Sequence, residues 1–146
     1  MVRSLAVTLA LGLMLWSQLP AAGAEEDARQ AAHRFGRALT SSRPQDLRSI
    51  LPSQGKIRLK LLRLGPEDGY FGPGQVEAIF RDFLAEGSVR SFELGRLETD
   101  GRSFCLVHAR AALSDRQGHP ARVRLHLSFQ PEASRWVLRE IKESRE

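Results

Sequence analysis

Two histidines and one glutamate are the residues of this chain whose types and predicted positions could do chemistry. Glu93, His108 and His126 each fall in a segment whose alternating apolar and polar residues predict a β-strand. If Asp100-Gly101 forms a two-residue hairpin loop, His108 lies opposite Glu93, and a following loop centred on Gln117 places His108 opposite His126. Side chains in such a row stand about 5 Å apart. They could therefore hold a metal ion or relay a proton.

A hydrogen-bonded surface cluster and a dimer contact are the alternatives to a metal or catalytic site. The face of a sheet gives a metal ion no enclosure, and the three residues lack the i, i+2 or i, i+4 spacing of ligands within one element. We therefore predict no metal and no catalytic residue in this row, with Glu93 partnering a protonated His108. No cofactor motif is present: Gly72-Pro73-Gly74 lacks the Lys-Ser/Thr of a phosphate loop.

The predicted registers also sort the remaining residues of these strands onto two faces. Leu97, Phe104 and Leu106 are expected beside the histidines, and an apolar group next to polar residues is typical of an association surface. They form the candidate face of a homodimer. The opposite face is predicted to be the core and carries Phe92, Leu94, Cys105, Val107, Ala109, Ala111, Val123, Leu125, Leu127 and Phe129.

Arginine dominates the charge of the chain, which is +5 at pH 7. Arg110 is predicted opposite Arg124, and this pair, together with Arg58 and Arg122, could attract an anionic surface such as lipid head groups or polysaccharide. A solvated face is the alternative. Nucleic acid is not an expected partner, because the phenylalanines recur at core spacing and do not form a stacking platform for bases.

The elements that must position these residues follow from periodicity and from breakers. Apolar residues recur at helical spacing in the first and third predicted helices, and Pro73 opens the third, for which Gly87 is the C-cap. The expected order is a helix over 25–39, a short helix from 44 to 51, strands over 56–61 and 70–71, a helix over 73–87, and strands over 89–97, 103–113, 122–129 and 136–141. We expect one α+β domain over 25–146.

Residues 1–24 predict a secretory signal. Arg3 precedes an apolar run, and the small-residue step Ala22-Gly23-Ala24 stands just before three acids. The mature chain is then expected in the periplasm or outside the cell, with no membrane span. Cys105 is the single cysteine, so no disulfide forms within the chain. Its strand position predicts a small buried hydrophobe, with an intermolecular bridge or a reactive thiol as the alternatives.

This order of elements resembles the cone-shaped α+β fold of the nuclear-transport-factor-two-like superfamily. Within it, the chain is similar to a family of small exported bacterial proteins of unknown function. The resemblance spans roughly residues 28–142 and rests on Gly55-Lys56-Ile57-Arg58-Leu59-Lys60-Leu61, on Gly69-Tyr70-Phe71-Gly72-Pro73-Gly74-Gln75-Val76 with Ile79-Phe80 and Phe83, and on Ser91-Phe92. It implies a curved sheet wrapped on helices, often with an internal pocket. It implies no activity, since the superfamily hosts enzymes, ligand binders, transport adaptors and dimerisation domains.

Two functions of different class fit these observations. The first is an exported, non-enzymatic binding or interaction module with a small apolar pocket or a sheet-mediated dimer. The second is a small isomerase- or hydrolase-like enzyme that uses the pocket of the cone. A titratable side chain pointing into the pocket would separate them. His33 and Tyr70 are the candidates for lining such a pocket, with a helix-surface histidine and a core tyrosine as the alternative interpretations.

Overall fold

Three helical segments lie against one sheet. The computed structural model describes residues 21–146, so residues 1–20 of the predicted signal lie outside the described residues. The segments are helix α1 (Ala21–Thr40), a 3₁₀ helix (Pro44–Ile50) and helix α2 (Pro73–Glu86). Pro73 is the first residue of α2 and Gly87 its C-cap, as predicted. Among residues 21–146 no helix is long and apolar enough to cross a bilayer.

The sheet has six strands, because the strands expected over 56–61 and 70–71 join the four of the predicted meander in one sheet. They are β1 (Ile57–Lys60), β2 (Gly69–Phe71), β3 (Ser88–Thr99), β4 (Cys105–Ser114), β5 (Pro120–Glu132) and β6 (Arg135–Arg145). Their order across the sheet is β2-β1-β6-β5-β4-β3. Strands β3 to β6 form the expected antiparallel meander, while β1 runs parallel to β6 with Arg58 opposite Glu140. The α+β class is confirmed, but the sheet is mixed.

Aromatic rings fill the space between α1 and the sheet. The ring of Phe35 meets the rings of Phe80 and Phe92 edge-on, each at a centroid distance of 5.7 Å. A Cβ on Gly36 would lie only 2.2 Å from Cδ1 of Phe92, so this ring rests directly on the α1 backbone. The predicted core face is confirmed, with Phe92 and Leu94 half-buried against the core and its other members buried. Burial raises the pKa of the Cys105 thiol.

The predicted register between β4 and β5 is confirmed, and the one between β3 and β4 is wrong. His108 lies opposite His126, and Arg110 opposite Arg124. Glu93, however, lies opposite Arg110 instead of His108. The loop between β3 and β4 spans five residues, because the Asp100 carboxylate accepts hydrogen bonds from the backbone N–H groups that follow it and so stabilises a wider turn.

A β-bulge between Leu94 and Leu97 corrects a second prediction. Gly95 and Arg96 of β3 stand there against the single residue His108 of β4, so β3 contains one extra residue and its alternation changes at this point. Leu97 therefore lies opposite the buried Val107 and packs against the core, which removes it from the predicted dimer face. Phe104 is 44% exposed in the loop, and Leu106 is half-buried on the outer face.

A buried carboxylate fixes the connection that leaves β1. Glu143 of β6 is on the core face opposite Leu125 and is only 4% exposed. Its Oε2 accepts hydrogen bonds from the backbone N–H groups of Leu62 (3.2 Å) and Arg63 (2.7 Å), and its Oε1 accepts one from Leu64 (3.0 Å). The charge of Glu143 is thus committed to three amide donors.

Candidate binding site

A groove of about 670 Å³ lies on the outer face of the sheet, over strands β3, β4 and β5. We call it the outer-face groove. The side chains of its charged and histidine residues on β4 and β5 alternate with buried core residues, which places them on the side away from the helices. The groove is lined by Glu93, Leu94, Gly95, Arg96, His108, Ala109, Arg110, Arg124 and His126.

The two histidines form the centre of the outer-face groove. The rings of His108 and His126 stand 4.6 Å apart between centroids, at 71° to each other. Nε2 of His108 is 3.7 Å from Oε1 of Glu98, which is beyond hydrogen-bond distance. This nitrogen is buried and has no hydrogen-bond partner among the described residues. Glu98 takes the place predicted for Glu93, while Glu93 also lines the groove.

The surroundings of the histidine pair are basic. Three arginines and one glutamate line the groove, and Lys142 of β6 lies opposite His126 at its rim. Burial lowers the pKa of His126, and the neighbouring His108, Lys142, Arg96 and Arg124 lower it further, because protonation would add a positive charge beside existing ones. Protonation of His126 is therefore less favourable than protonation of an exposed imidazole.

The four arginines that were predicted to attract an anionic surface fall into two groups in the structure. Arg110 faces Arg124, and its nearest acid is Glu146, with 3.9 Å between Nε and Oε1. Arg122 lines a smaller concavity of about 170 Å³, which shares Glu93 and Arg110 with the outer-face groove. Arg58 stands apart on β1.

Arg58 is compensated by acids and by an aromatic ring. Its Nε lies 3.4 Å from Asp68 and its Nη1 3.8 Å from Glu140, and its guanidinium carbon is 5.9 Å from the centroid of Tyr70. Tyr70 is 64% exposed at the sheet edge. His33 is exposed on α1. Neither predicted pocket candidate reaches the interior of the cone.

Buried titratable groups elsewhere in residues 21–146 are already engaged. Glu77 lies between the guanidinium groups of Arg48 and Arg81, which hold its pKa below the usual value against the opposing effect of burial. Glu143 is bound to backbone amides. Within the same range no group of three or more His, Cys, Asp and Glu side chains has a geometry that could hold a metal ion.

Sequence reasoning missed Arg96, Glu98 and Lys142 as neighbours of the histidines. The bulge in β3 brings Arg96 into the groove lining, and a glycine within a strand, here Gly95, is the signal that marks such a bulge. A Cβ at Gly95 would stand 3.3 Å from the carbonyl oxygen of His108, so the backbones of β3 and β4 approach closely there.

Solved structures identify the fold, whereas sequence comparisons do not. No family model matches the chain, and no curated protein matches it either. A proposed dehydratase from the NTF2-like family of Streptomyces avermitilis superposes with a TM-score of 0.62 at 15% identity, covering 84% of this chain and 96% of that one. The chain has the NTF2-like fold.

Other solved structures that superpose on the chain have different descriptions. A DUF4783 family protein from Bacteroides uniformis superposes with a TM-score of 0.62 at 14% identity, covering 78% of this chain and 95% of that one. An LEH-like epoxide hydrolase from M. tuberculosis gives a TM-score of 0.59 at 14% identity and covers 83% and 84% of the two chains. At these identities the likeness establishes the NTF2-like fold and leaves the activity to be argued from the site.

Proposed function

We propose that this NTF2-like chain is an exported, non-enzymatic binding module whose binding surface is the outer-face groove. One observation carries the proposal: a partly buried histidine pair and three arginines converge on the groove on the outer face, while aromatic rings occupy the space between α1 and the sheet. A binding site needs concavity and a few polar groups that converge on it. The outer-face groove has both.

The alternative, an enzyme that uses the interior of the cone, fits these side chains less well. Such an enzyme needs an acid, a base or a nucleophile that faces its pocket. The buried carboxylates Glu77 and Glu143 are instead engaged by arginines and by backbone amides, respectively. The rings of Phe35, Phe80 and Phe92 take the space that an apolar pocket would need.

A homodimer through the groove is disfavoured by charge. A two-fold axis brings the same patch of both subunits together, and this patch contains Arg110 directly opposite Arg124. The apolar contribution is small, because Leu97 packs into the core and only Phe104 and Leu106 remain on the outer side. A ligand of opposite charge is the better occupant.

Export rests on the predicted signal, and its cleavage point falls within α1. Cleavage after Ala24 would remove the first turn of α1 (Ala21–Thr40) and make Glu25, Glu26 and Asp27 the new first turn. Acids there offset the positive end of the helix dipole and the new amino group. We expect N-terminal sequencing of the exported protein to begin at Glu25, and a retained Met1 in a membrane fraction would contradict export.

Native mass spectrometry of protein purified from the compartment to which it is exported tests the binding function. We expect the wild type to carry a retained ligand mass, and the double variant Arg110→Ala/Arg124→Ala to lose it. The control Arg102→Ala/Arg116→Ala removes the same charge from exposed loop positions and should keep the ligand. Bare wild-type protein, or a ligand kept by the groove variant, would contradict the proposal.

A further inference from the structure

Like charges stand side by side across four strands of the outer face. Arg110 lies opposite Arg124, His126 opposite Lys142, and Lys142 in turn opposite Lys60 of β1. Direct cross-strand pairs of like charge are unfavourable. The acid nearest to Arg110 is Glu146, at 3.9 Å, which is at the outer limit of an ion pair. The arrangement leaves an excess of positive charge around the histidine pair that a bound anion would offset.

We propose that the outer-face groove binds a small organic oxyanion between Arg110, Arg124 and the His108–His126 pair, and that binding takes up a proton on this pair. The proposal deepens the proposed function and rests on it, since it names the ligand class of the same site. A guanidinium donates two parallel N–H groups to a carboxylate or a phosphate, and a protonated imidazole adds a further charged donor.

The size of the groove favours a molecule over a single ion. Its volume of about 670 Å³ lies in the range of about 300–1,000 Å³ that is typical of small-molecule sites. The oxyanion group would occupy the part next to the arginines, and the rest of the molecule would lie along the β3 segment Leu94-Gly95, which also lines the groove.

Proton uptake follows from the charges that face the histidines. In the free protein the cations around His126 oppose its protonation, and a bound anion reverses the sign of that effect. His108 supplies a buried Nε2 with no hydrogen-bond partner among residues 21–146, which a ligand oxygen could engage. The charged groups around the pair are Glu93, Arg96 and Glu98 of β3, Arg110 of β4, Arg124 of β5 and Lys142 of β6.

Two of these groups, Glu93 and Glu98, are acids, and they compete with a bound anion for the cations around the histidine pair. Oε1 of Glu98 already lies 3.7 Å from Nε2 of His108 without a ligand. Oε1 of Glu98 is also 3.6 Å from Nε of Arg96, so its charge is shared between two cationic partners. Glu93 lies opposite Arg110 in the β3–β4 register, and Oε1 of Glu146 is 3.9 Å from its Nε, whereas among residues 21–146 no ion pair is formed by Arg124. Arg124 is therefore the less compensated of the two arginines.

Sulfate is the probe for this site, because it stays doubly charged from pH 8 to pH 5.5 and any pH dependence then comes from the protein. Titration into the ¹⁵N-labelled chain, residues 25–146, is followed by amide shifts in β3, β4 and β5 and by the imidazole nitrogens. One linked proton tightens binding by up to about tenfold per pH unit. We expect tightening of about tenfold or more between pH 8 and pH 5.5.

Variants separate the anion site from the proton linkage. Arg110→Ala/Arg124→Ala should lose sulfate binding at every pH, whereas His108→Gln/His126→Gln should lose the tightening at low pH. The single variant His126→Gln is the second measurement if the double variant fails to fold, and Arg102→Ala/Arg116→Ala is the control that keeps the wild-type behaviour. A benzoate titration then tests whether the rest of the groove accepts an organic body, with shifts expected at Leu94 and Gly95.

Each contrary result has its own meaning. Equal sulfate affinity at pH 8 and pH 5.5 overturns the proton linkage. Shifts outside the outer-face groove, or none, overturn the anion site, while a ligand retained in the native mass spectrum would still support the binding function. The protein could instead cosediment with phosphatidylglycerol vesicles but not with phosphatidylcholine vesicles, and show no sulfate or benzoate shifts in the groove. That result would assign the positive charge to a lipid surface and overturn the small-molecule proposal.

Discussion

Replacing Glu143 with glutamine should destabilise the chain by breaking the hold of β6 on residues 62–64. The carboxylate accepts three backbone hydrogen bonds, two at Oε2 and one at Oε1. Glutamine has one carbonyl oxygen, so if this oxygen serves Leu62 and Arg63, its NH₂ group faces the N–H of Leu64. That amide is buried and would be left without an acceptor.

The magnitude follows from these three bonds. An unsatisfied buried donor costs about 1–3 kcal/mol, and each of the other two bonds loses roughly 0.5–1 kcal/mol when its acceptor is no longer charged. We therefore expect the free energy of unfolding to fall by about 2–5 kcal/mol. Urea unfolding followed by circular dichroism measures it, and hydrogen exchange should show faster exchange at the amides of Leu62, Arg63 and Leu64.

The matched control is Glu140→Gln, in the same strand. Glu140 is half-exposed, and its carboxylate lies 3.8 Å from the guanidinium of Arg58. A pair of this kind contributes less than about 1 kcal/mol, so the control should unfold almost as the wild type does. A Glu143→Gln variant that stays within about 0.5 kcal/mol of the wild type, with unchanged amide protection, would refute the role assigned to the buried carboxylate.

Three further predictions concern the core and the histidine pair. Leu127→Ala should cost about 2–5 kcal/mol in denaturant unfolding, because it opens a cavity under β5; a loss below about 0.5 kcal/mol would contradict its burial. Gly36→Ala should lower stability by about 1–3 kcal/mol through the clash with the Phe92 ring, and Phe92→Leu in the same chain should recover part of the melting temperature. Because the pKa of His126 is lowered in the folded state, the folded chain binds fewer protons than the unfolded one, and the stability of the wild type should fall as the pH drops through about 6.5. His126→Gln should flatten this pH dependence of the melting temperature. A wild type whose melting temperature rises as the pH drops through this range would contradict the prediction.

Alternation was sufficient to predict the core side of the meander. Each of Val107, Ala109, Leu125 and Leu127 is buried on the face that its strand pattern indicated. The register between β4 and β5 followed from the loop centred on Gln117, because the length of a hairpin loop fixes which residues of its two strands lie opposite each other. These are local properties, and local patterns predict them well.

The neighbours of the histidines could not be predicted, because they depend on a loop and a bulge that the alternation of apolar and polar residues does not indicate. The Asp100 side chain stabilises a five-residue loop where a two-residue turn was expected, and this loop together with the bulge after Leu94 places Glu93 opposite Arg110 instead of His108. The bulge after Leu94 then changes which face Leu97 occupies. The pairing of β1 with β6 joins distant parts of the chain, and no turn between them sets a register.

The interior position of β6 in the sheet has a consequence for the timing of folding. The last strand of the chain separates β1 from β5, so the first two strands have no sheet to join until the C-terminal segment has been made. Leu62 and its acceptor on Glu143 are 81 positions apart, which corresponds to roughly 4–16 s of synthesis at about 5–20 residues per second. During that interval the N-terminal part of the nascent chain lacks the partners that complete its sheet. Under the proposed export, this delay would leave the first two strands unpaired during the early part of translocation.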